Sequence, residues 1–194
     1  MHIHAHYDAI GVGPGIGICD KTVDALEELL NKSTEPLVID ADALNCIAKR
    51  PRLINFIPES SVITPHKAEF DRIFGEHSSD RERLLKAIEV AQAKQIIIVL
   101  KGHYTAIVNS NGKVFFNSSG TPALATAGSG DVLTGVITSL IAQGYDPTLA
   151  SIIGAFIHGT AGQLAEDTHG SYGVTASDIA ENIGKAIKYC FSTI

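Results

Sequence analysis

No stretch of the sequence reaches the roughly 18 consecutive apolar residues that a membrane-crossing helix needs. The first residues also lack the basic segment and apolar core of a secretory leader. A soluble protein is expected. Cysteine is scarce: Cys19, Cys46 and Cys190 are odd in number and far apart, which suits free buried thiols in a reducing compartment better than a disulfide framework. The cytoplasm is the expected location. Basic runs are missing as well. Fifteen Lys plus Arg against 21 Asp plus Glu leave a formal charge of -6, with nothing to track a phosphate backbone, so nucleic acid is not an expected partner. Two nucleotide signatures are also absent. Gly-x-x-x-x-Gly-Lys-Ser/Thr occurs nowhere, and Gly13 and Gly15 do not begin Gly-x-Gly-x-x-Gly because the last glycine is replaced by Ile18.

What is present describes a folded globule. The chain has 194 residues, 45% apolar and 19% charged, with no polar low-complexity tract, no internal repeat and no linker. A domain of this size buries roughly 70% of the surface its unfolded chain exposes. One domain spanning residues 1–194 is expected. Residues 1–6, with alternating His2, His4 and His6, read as a tag remnant or a frayed segment rather than a metal cluster.

Apolar runs at Tyr7–Val12, Pro36–Asp40, Ser61–Ile63 and Gln95–Leu100 predict buried parallel strands. Between them, Val23, Leu26, Leu29 and Leu30 recur at helical spacing behind Asp20 as N-cap. Thr64 and Pro65 predict the start of a short helix that Gly75 closes. Ser79 with Glu82 predicts a capping box ahead of Leu84, Leu85, Ile88 and Ala91. Thr105–Val108 and Lys113–Phe116 flank Asn109-Ser110-Asn111-Gly112, a hairpin turn that tolerates positive φ. From residue 129 the chain reads as helices over 131–143, 147–167 and 176–190, the last behind a Thr175/Asp178 capping pair. The expected fold is a three-layer α/β domain with a mostly parallel sheet and an antiparallel hairpin at one edge.

Several clusters carry chemistry. Gly11, Gly13, Gly15 and Gly17 follow a strand, where a tight connection and a close approach to a ligand are both open readings. Thr126-Ala127-Gly128-Ser129-Gly130-Asp131 opens an apolar helix, and amides at such a terminus form an anion hole over Gly128, Ser129 and Gly130. Asp131 in that first turn is ordinarily a cap. Beside an anion hole it opposes a phosphate, which makes sense if it takes a proton from an attacking hydroxyl. His66 and Glu69 follow a strand end and reach a cleft, or else they are two solvated polar residues of a capped helix. Lys101-Gly102-His103-Tyr104-Thr105 ends the next strand and suits a phosphate or ribose. Asp40, Asp42 and Asn45 crowd a third strand end, where they could order water or a metal. His158, amid small and apolar residues, reads as a packing histidine.

Taken together, Gly13-Pro14-Gly15-Ile16-Gly17, Ile39-Asp40-Ala41-Asp42-Ala43-Leu44-Asn45, Thr64-Pro65-His66-Lys67-Ala68-Glu69, Leu100-Lys101-Gly102 and Thr126 to Gly135 resemble the ADP/ATP-dependent NAD(P)H-hydrate dehydratases of the ribokinase-like superfamily. The resemblance runs from about residue 7 to the C-terminus. Superfamily kinases commonly carry Thr-Pro-Asn where this chain has His66, which favours the dehydratase branch. It implies that Gly15, Gly17, His66 and Asp131 contact a hydrated NADH or NADPH, with Asp131 as catalytic base. It implies further that Lys101, Gly102, His103, Tyr104, Thr105 and Gly130 contact ADP or ATP, that Glu69 positions Mg2+ through water, and that the protein forms a homo-oligomer. The family has a further N-terminal segment of roughly a third of the enzyme to which nothing here corresponds, so the chain reads as an N-terminally truncated domain. The alternatives are a ribokinase-like kinase for a vitamin precursor or sugar, and a catalytically silent nucleotide-binding fragment.

Overall fold

The computed structural model describes residues 7–192. In chain order the elements are β1 (Ile10–Val12), α1 (Asp20–Lys32), β2 (Leu37–Ile39), α2 (Ala41–Lys49), a 3-10 turn (Pro51–Phe56), β3 (Val62–Ile63), α3 (Lys67–Phe74), α4 (Asp80–Lys94), β4 (Ile97–Leu100), β5 (Ala106–Val108), β6 (Val114–Phe116), a second 3-10 turn (Pro122–Leu124), α5 (Ser129–Ala142), α6 (Pro147–His169) and α7 (Ala176–Ser192). His2, His4 and His6 lie outside the described residues.

The six strands lie side by side in sequence order, β1 to β6. The first four are parallel, and β4–β5 and β5–β6 are antiparallel. This order dictates the layers. Parallel strands that always advance in one direction, joined by right-handed crossovers, send every connecting helix to the same face. Helices α1 to α4 therefore share one side, where Val23, Leu44, Ile47 and Phe70 pack against Ile39, Ile63 and Ile98. The other face would be bare, and the C-terminal helices cover it: Leu133, Ile137 and Ala155 of α5 and α6 pack on Val38, Val62, Ile97 and Val99. Neighbouring residues of one strand thus enter opposite cores, which is why the strands read as unbroken apolar runs. α7 completes the second layer through Ile179 and Ala186 against α6. The three-layer α/β architecture expected from the sequence is the one found.

Local differences have local causes. Strand β1 is shorter than the apolar run suggests, beginning at Ile10. Cys19, not Asp20, occupies the N-cap of α1. Asp20 is instead the first helical residue, where its carboxylate favours the positive end of the helix and accepts from Lys49 Nζ at 2.8 Å. Thr64 does not cap α3, because its N–H is still part of the sheet and donates to Ile39 O. His66 is the cap: its Nδ1 accepts from the amides of Ala68 and Glu69 at 3.1 and 3.2 Å, and Glu69 Oε2 accepts from His66 N–H at 2.8 Å. Gly75 closes α3 at φ 95°. The box expected at Ser79 is half formed. Ser79 Oγ accepts from Glu82 N–H, but the Glu82 carboxylate turns to Ser78. In α4 Leu85 is exposed and Arg83 is buried, since Arg83 meets Asp71 and Asp80 while Ala87, Val90 and Ala91 face the core. Gln95 ends α4 in a left-handed conformation rather than beginning the strand.

Candidate active site

Parallel strands end on one edge, and that edge is where α/β sheets bind ligands. Here β1 leads into the Gly13–Gly17 loop, β2 into Asp40, β3 into Thr64–His66 and β4 into Lys101. Thr64 Oγ1 is buried at this edge and is, among the described residues, a side-chain polar atom without a hydrogen-bond partner. The first loop is pinned by contact. A Cβ on Gly13, at φ +137°, would fall 1.7 Å from Asp40 O, so only glycine lets the loop lie on the end of β2. Gly17 N–H then donates to Asp42 Oδ2 at 2.9 Å.

Beyond this edge lies a cavity of about 640 Å³. One wall is Lys101 to Thr105, with His66 beside it, and the opposite wall is the loop from Asn117 to Thr126. Ser129 and Gly130 close one end, and Leu133, Ala155 and His158 form part of the base. The cavity is large enough for a nucleotide, with an apolar base and polar groups at its rim. The loop wall is held by α6: Asn117 Nδ2 donates to Ala155 O at 3.2 Å and Ser119 Oγ to Phe156 O at 2.9 Å. His103 and Tyr104 meet edge to face with ring centroids 4.5 Å apart at the mouth, where Tyr104 is 71% exposed.

The amino end of α5 reaches this cavity through Ser129 and Gly130. Gly128 is its N-cap at φ 83°, a conformation that frees the first turn to face the cavity. Ser129 N–H donates to Thr126 O at 3.3 Å and Asp131 N–H to Gly128 O at 3.1 Å. Among the described residues, Gly128 and Gly130 are left as amides with no backbone acceptor. They are free for an anion, with the helix dipole behind them. Asp131 is exposed on the same turn, and its Oδ2 would lie 4.0 Å from a Cβ on Gly128, so the carboxylate folds back toward the loop.

The edge thus gathers His66, Lys101 to Thr105, Ser129 and Gly130 around one cavity. Gly15, Gly17 and Asp131 are exposed beside it and do not line it. Glu69 is buried and committed to the cap of α3, with Oε1 3.5 Å from His66 Nε2. No group of three or more His, Cys, Asp or Glu side chains capable of holding a metal exists among the described residues. These residues do not fit a direct ligand set for Mg2+, and no step below runs through a metal.

Two residues have a larger place here than the sequence suggests. His158 is buried, but it is more than packing. Its Nε2 lies 2.9 Å from Ser129 O and 3.1 Å from Ser129 Oγ, and since a carbonyl only accepts, Nε2 carries the proton. Burial pushes this imidazole down to about 4, opposed by the Ser129 carbonyl and reinforced by the Lys101 charge. Asp40 is not open to solvent, as a water- or metal-ordering group would be. Its Oδ1 accepts from Lys101 Nζ and its Oδ2 from Thr134 Oγ1, both at 2.8 Å. The part of this wall over residues 117–125 carries no motif in the sequence, where it is a run of mostly small residues after a hairpin.

A family model described as NAD(P)H-hydrate dehydratase matches residues 1–185. The chain belongs to that family. It is 39% identical over 179 residues to the bifunctional NAD(P)H-hydrate repair enzyme Nnr of Moorella thermoacetica, covering 91% of this chain and 34% of that protein. It is 36% identical over 177 residues to the ADP-dependent (S)-NAD(P)H-hydrate dehydratase of Neisseria meningitidis, covering 87% of this chain and 59% of that one. The chain therefore spans about a third of the bifunctional relatives and little more than half of the Neisseria dehydratase. Among solved structures, the ADP/ATP-dependent NAD(P)H-hydrate dehydratase of Bacillus subtilis co-crystallised with ATP/Mg2+ superposes with a TM-score of 0.84 at 31% identity, covering 96% of this chain and 66% of that one. A ribokinase-like superfamily protein of Enterococcus faecalis gives 0.78 at 30% identity, covering 94% and 63%. The NAD(P)H-hydrate dehydratase fold, a ribokinase-like sheet with its antiparallel hairpin, is thus shared along nearly the whole of this chain.

Proposed function

We propose that this chain carries the nucleotide-dependent dehydration of hydrated NADH or NADPH, restoring the reduced cofactor at the expense of ADP or ATP. The observation that supports it is the amino end of α5. An open amide at Gly130 adjoins a cavity of about 640 Å³, and the exposed Asp131 carboxylate stands on the same turn.

In this reading the nucleotide lies in the cavity between Lys101–Thr105 and Asn117–Thr126, with its terminal phosphate at the amino end of α5. The hydrated nicotinamide sits over the glycine loop, near Gly15, Gly17 and His66. Hydroxide is a poor leaving group, so the hydroxyl at C6 of the ring is first phosphorylated. Its oxygen attacks the terminal phosphorus and the bond to the nucleotide oxygen breaks, releasing AMP from ADP or ADP from ATP. The hydroxyl proton passes to Asp131. The amides of Gly128 and Gly130 face the transferring phosphoryl oxygens without needing to reorganise. The C6–O bond then breaks with its electrons leaving on phosphate, the ring nitrogen pushes from its lone pair, and loss of a C5 proton restores the C5–C6 double bond. Mg2+, if carried in on the nucleotide, would supply charge neutralisation at the phosphates, and it would need no cage of this chain's side chains.

His66 fits the substrate side. Its Nδ1 is occupied by the cap, so the proton is on Nε2 at the half-exposed end of the ring. The further expectations are a cytoplasmic setting, assembly with copies of itself and the domain extent 1–194. No helix among the described residues is long and apolar enough to cross a membrane.

The test mixes the protein, in its longest reading frame, with hydrated NADH or NADPH and with ADP or ATP. Nucleotide-dependent recovery of the reduced-nicotinamide absorbance supports dehydration. A stable phosphorylated product from another small molecule identifies a kinase. Binding without turnover identifies a silent nucleotide-binding protein.

A further inference from the structure

Asp40 is 1% exposed, yet it bridges the two structural units that make the anion-binding end of the cavity. Lys101 follows β4 and donates to its Oδ1. Thr134 lies in the second turn of α5 and donates to its Oδ2. The packing is close at Gly130, where a Cβ would stand 3.2 Å from Lys101 Nζ and 3.5 Å from Asp40 Oδ2. The ammonium therefore lies against the turn whose Gly130 amide is free. Lys101 is 21% exposed and lines the cavity, so an ammonium with three donors gives one to Asp40 and keeps others for a ligand.

We propose that Asp40 is a positioning residue for the terminal phosphate of the nucleotide: it fixes the Lys101 ammonium against the Gly130 amide and, through Thr134, locks the amino end of α5 at that distance. This rests on the cavity being the nucleotide site. A lysine is a compact charge on a flexible stem, so left alone it follows solvent. Tied to a buried carboxylate, it stands where the migrating phosphoryl needs charge, and phosphoryl transfer depends almost wholly on such placement. The same carboxylate offsets part of the pull on the phosphate at rest. Asp40 thus contributes to orientation rather than to affinity, and its loss separates the two.

The experiment uses Asp40→Asn, Lys101→Met, their double variant and Thr134→Val. ADP and ATP binding are measured by calorimetry, the bound terminal phosphate by phosphorus NMR, and dehydration by absorbance. Asp40→Asn is expected to bind nucleotide as tightly as the parent or more so, to shift the terminal-phosphate resonance and to lower kcat by about 10- to 100-fold. The double variant is expected to turn over no more slowly than Lys101→Met alone, because Asp40 acts through that lysine. Thr134→Val keeps both charges, and it is expected to lower kcat by a smaller factor without tightening binding. A parent-like resonance and kcat in Asp40→Asn overturn the proposal, as does a double variant whose losses multiply. If Asp40→Asn does not fold, the double variant, which buries no unpaired charge, is compared with Lys101→Met instead and decides the matter. A parent protein that binds neither ADP nor ATP overturns the reading of the cavity itself. One that binds but does not dehydrate overturns only the reaction, and the phosphate resonance still tests Asp40.

Discussion

The imidazole of His158, on the long helix α6, donates its Nε2 proton to the carbonyl oxygen of Ser129 at 2.9 Å, the first residue of α5. A buried neutral ring in the middle of one helix thereby holds the opening turn of another. That bond needs only one ring proton, and the surroundings resist a second.

The pH dependence of stability follows from this. The folded protein keeps His158 at about 4, against 6.5 when the ring is free, so the unfolded chain binds more protons between those values. Stability from the neutral ring is complete above about pH 6.5 and is lost as pH falls toward 4. The loss is on the order of 3 kcal/mol when complete. Urea unfolding at pH 7 and pH 5 checks it, with His158→Gln expected to flatten the slope in that window. An unchanged slope in the variant would place the proton uptake elsewhere.

Asp131→Asn keeps the shape of the first turn of α5 and removes the carboxylate proposed as the base. Turnover is expected to fall by about 10²- to 10⁴-fold while ADP or ATP still binds. Calorimetry with nucleotide and the absorbance assay, run on the same preparation, separate the two effects. Retained turnover rules out Asp131 as the proton acceptor.

Gly159→Ala tests the far wall. A Cβ there would lie 2.1 Å from Ser119 Oγ and within 3 Å of backbone atoms of Ser119 and Gly120, so the loop must move away from α6. Overpacking of this kind costs about 1–3 kcal/mol in stability. Nucleotide affinity is expected to drop by about tenfold, equivalent to about 1.4 kcal/mol. Thermal unfolding with and without ADP measures both.

Arg83→Lys serves as the contrast, because neither Arg83 nor Asp71 lines the cavity. Arg83 holds Asp71 in a fork, Nε to Oδ1 at 2.9 Å and Nη2 to Oδ2 at 2.6 Å, which keeps the Asp71 carboxyl below its usual range. Lysine cannot reproduce the fork. A loss of about 2 kcal/mol in unfolding free energy is expected with nucleotide affinity unchanged. Weakened binding in this variant would tie α3 and α4 to the cavity.

The elements legible in the sequence are those with long periodic patterns or strong local punctuation. Helices α5 to α7 repeat their apolar residues over many turns, the Asn109–Gly112 hairpin announces itself by turn chemistry, and the Thr175/Asp178 pair caps as its spacing implies. Helix α2 was hidden because Asp40, Asp42 and Asn45 read as a polar loop, although Ala43, Leu44, Cys46 and Ile47 face the core. The α3 cap moved to His66 because the sheet extends through an isolated bridge from His66 to Lys101, a contact between residues distant in sequence. The site divides in the same way. The glycine-rich mouth of α5 is a local pattern and was visible. The Asp40–Thr134 bond joins residues 94 positions apart, and the His158–Ser129 bond spans 29, so neither has a local signal.

Because every strand among the described residues pairs only with its neighbours in the chain, the sheet can be laid down in the order a ribosome releases it. Helix α5 belongs to the layer that emerges last, and its tie to Asp40 reaches back across most of what came before. A nascent chain halted before α5 would hold a half-clad sheet and no place for a phosphate. On the proposed function, retention on an immobilised nucleotide is therefore expected only once synthesis and docking of the final layer are finished.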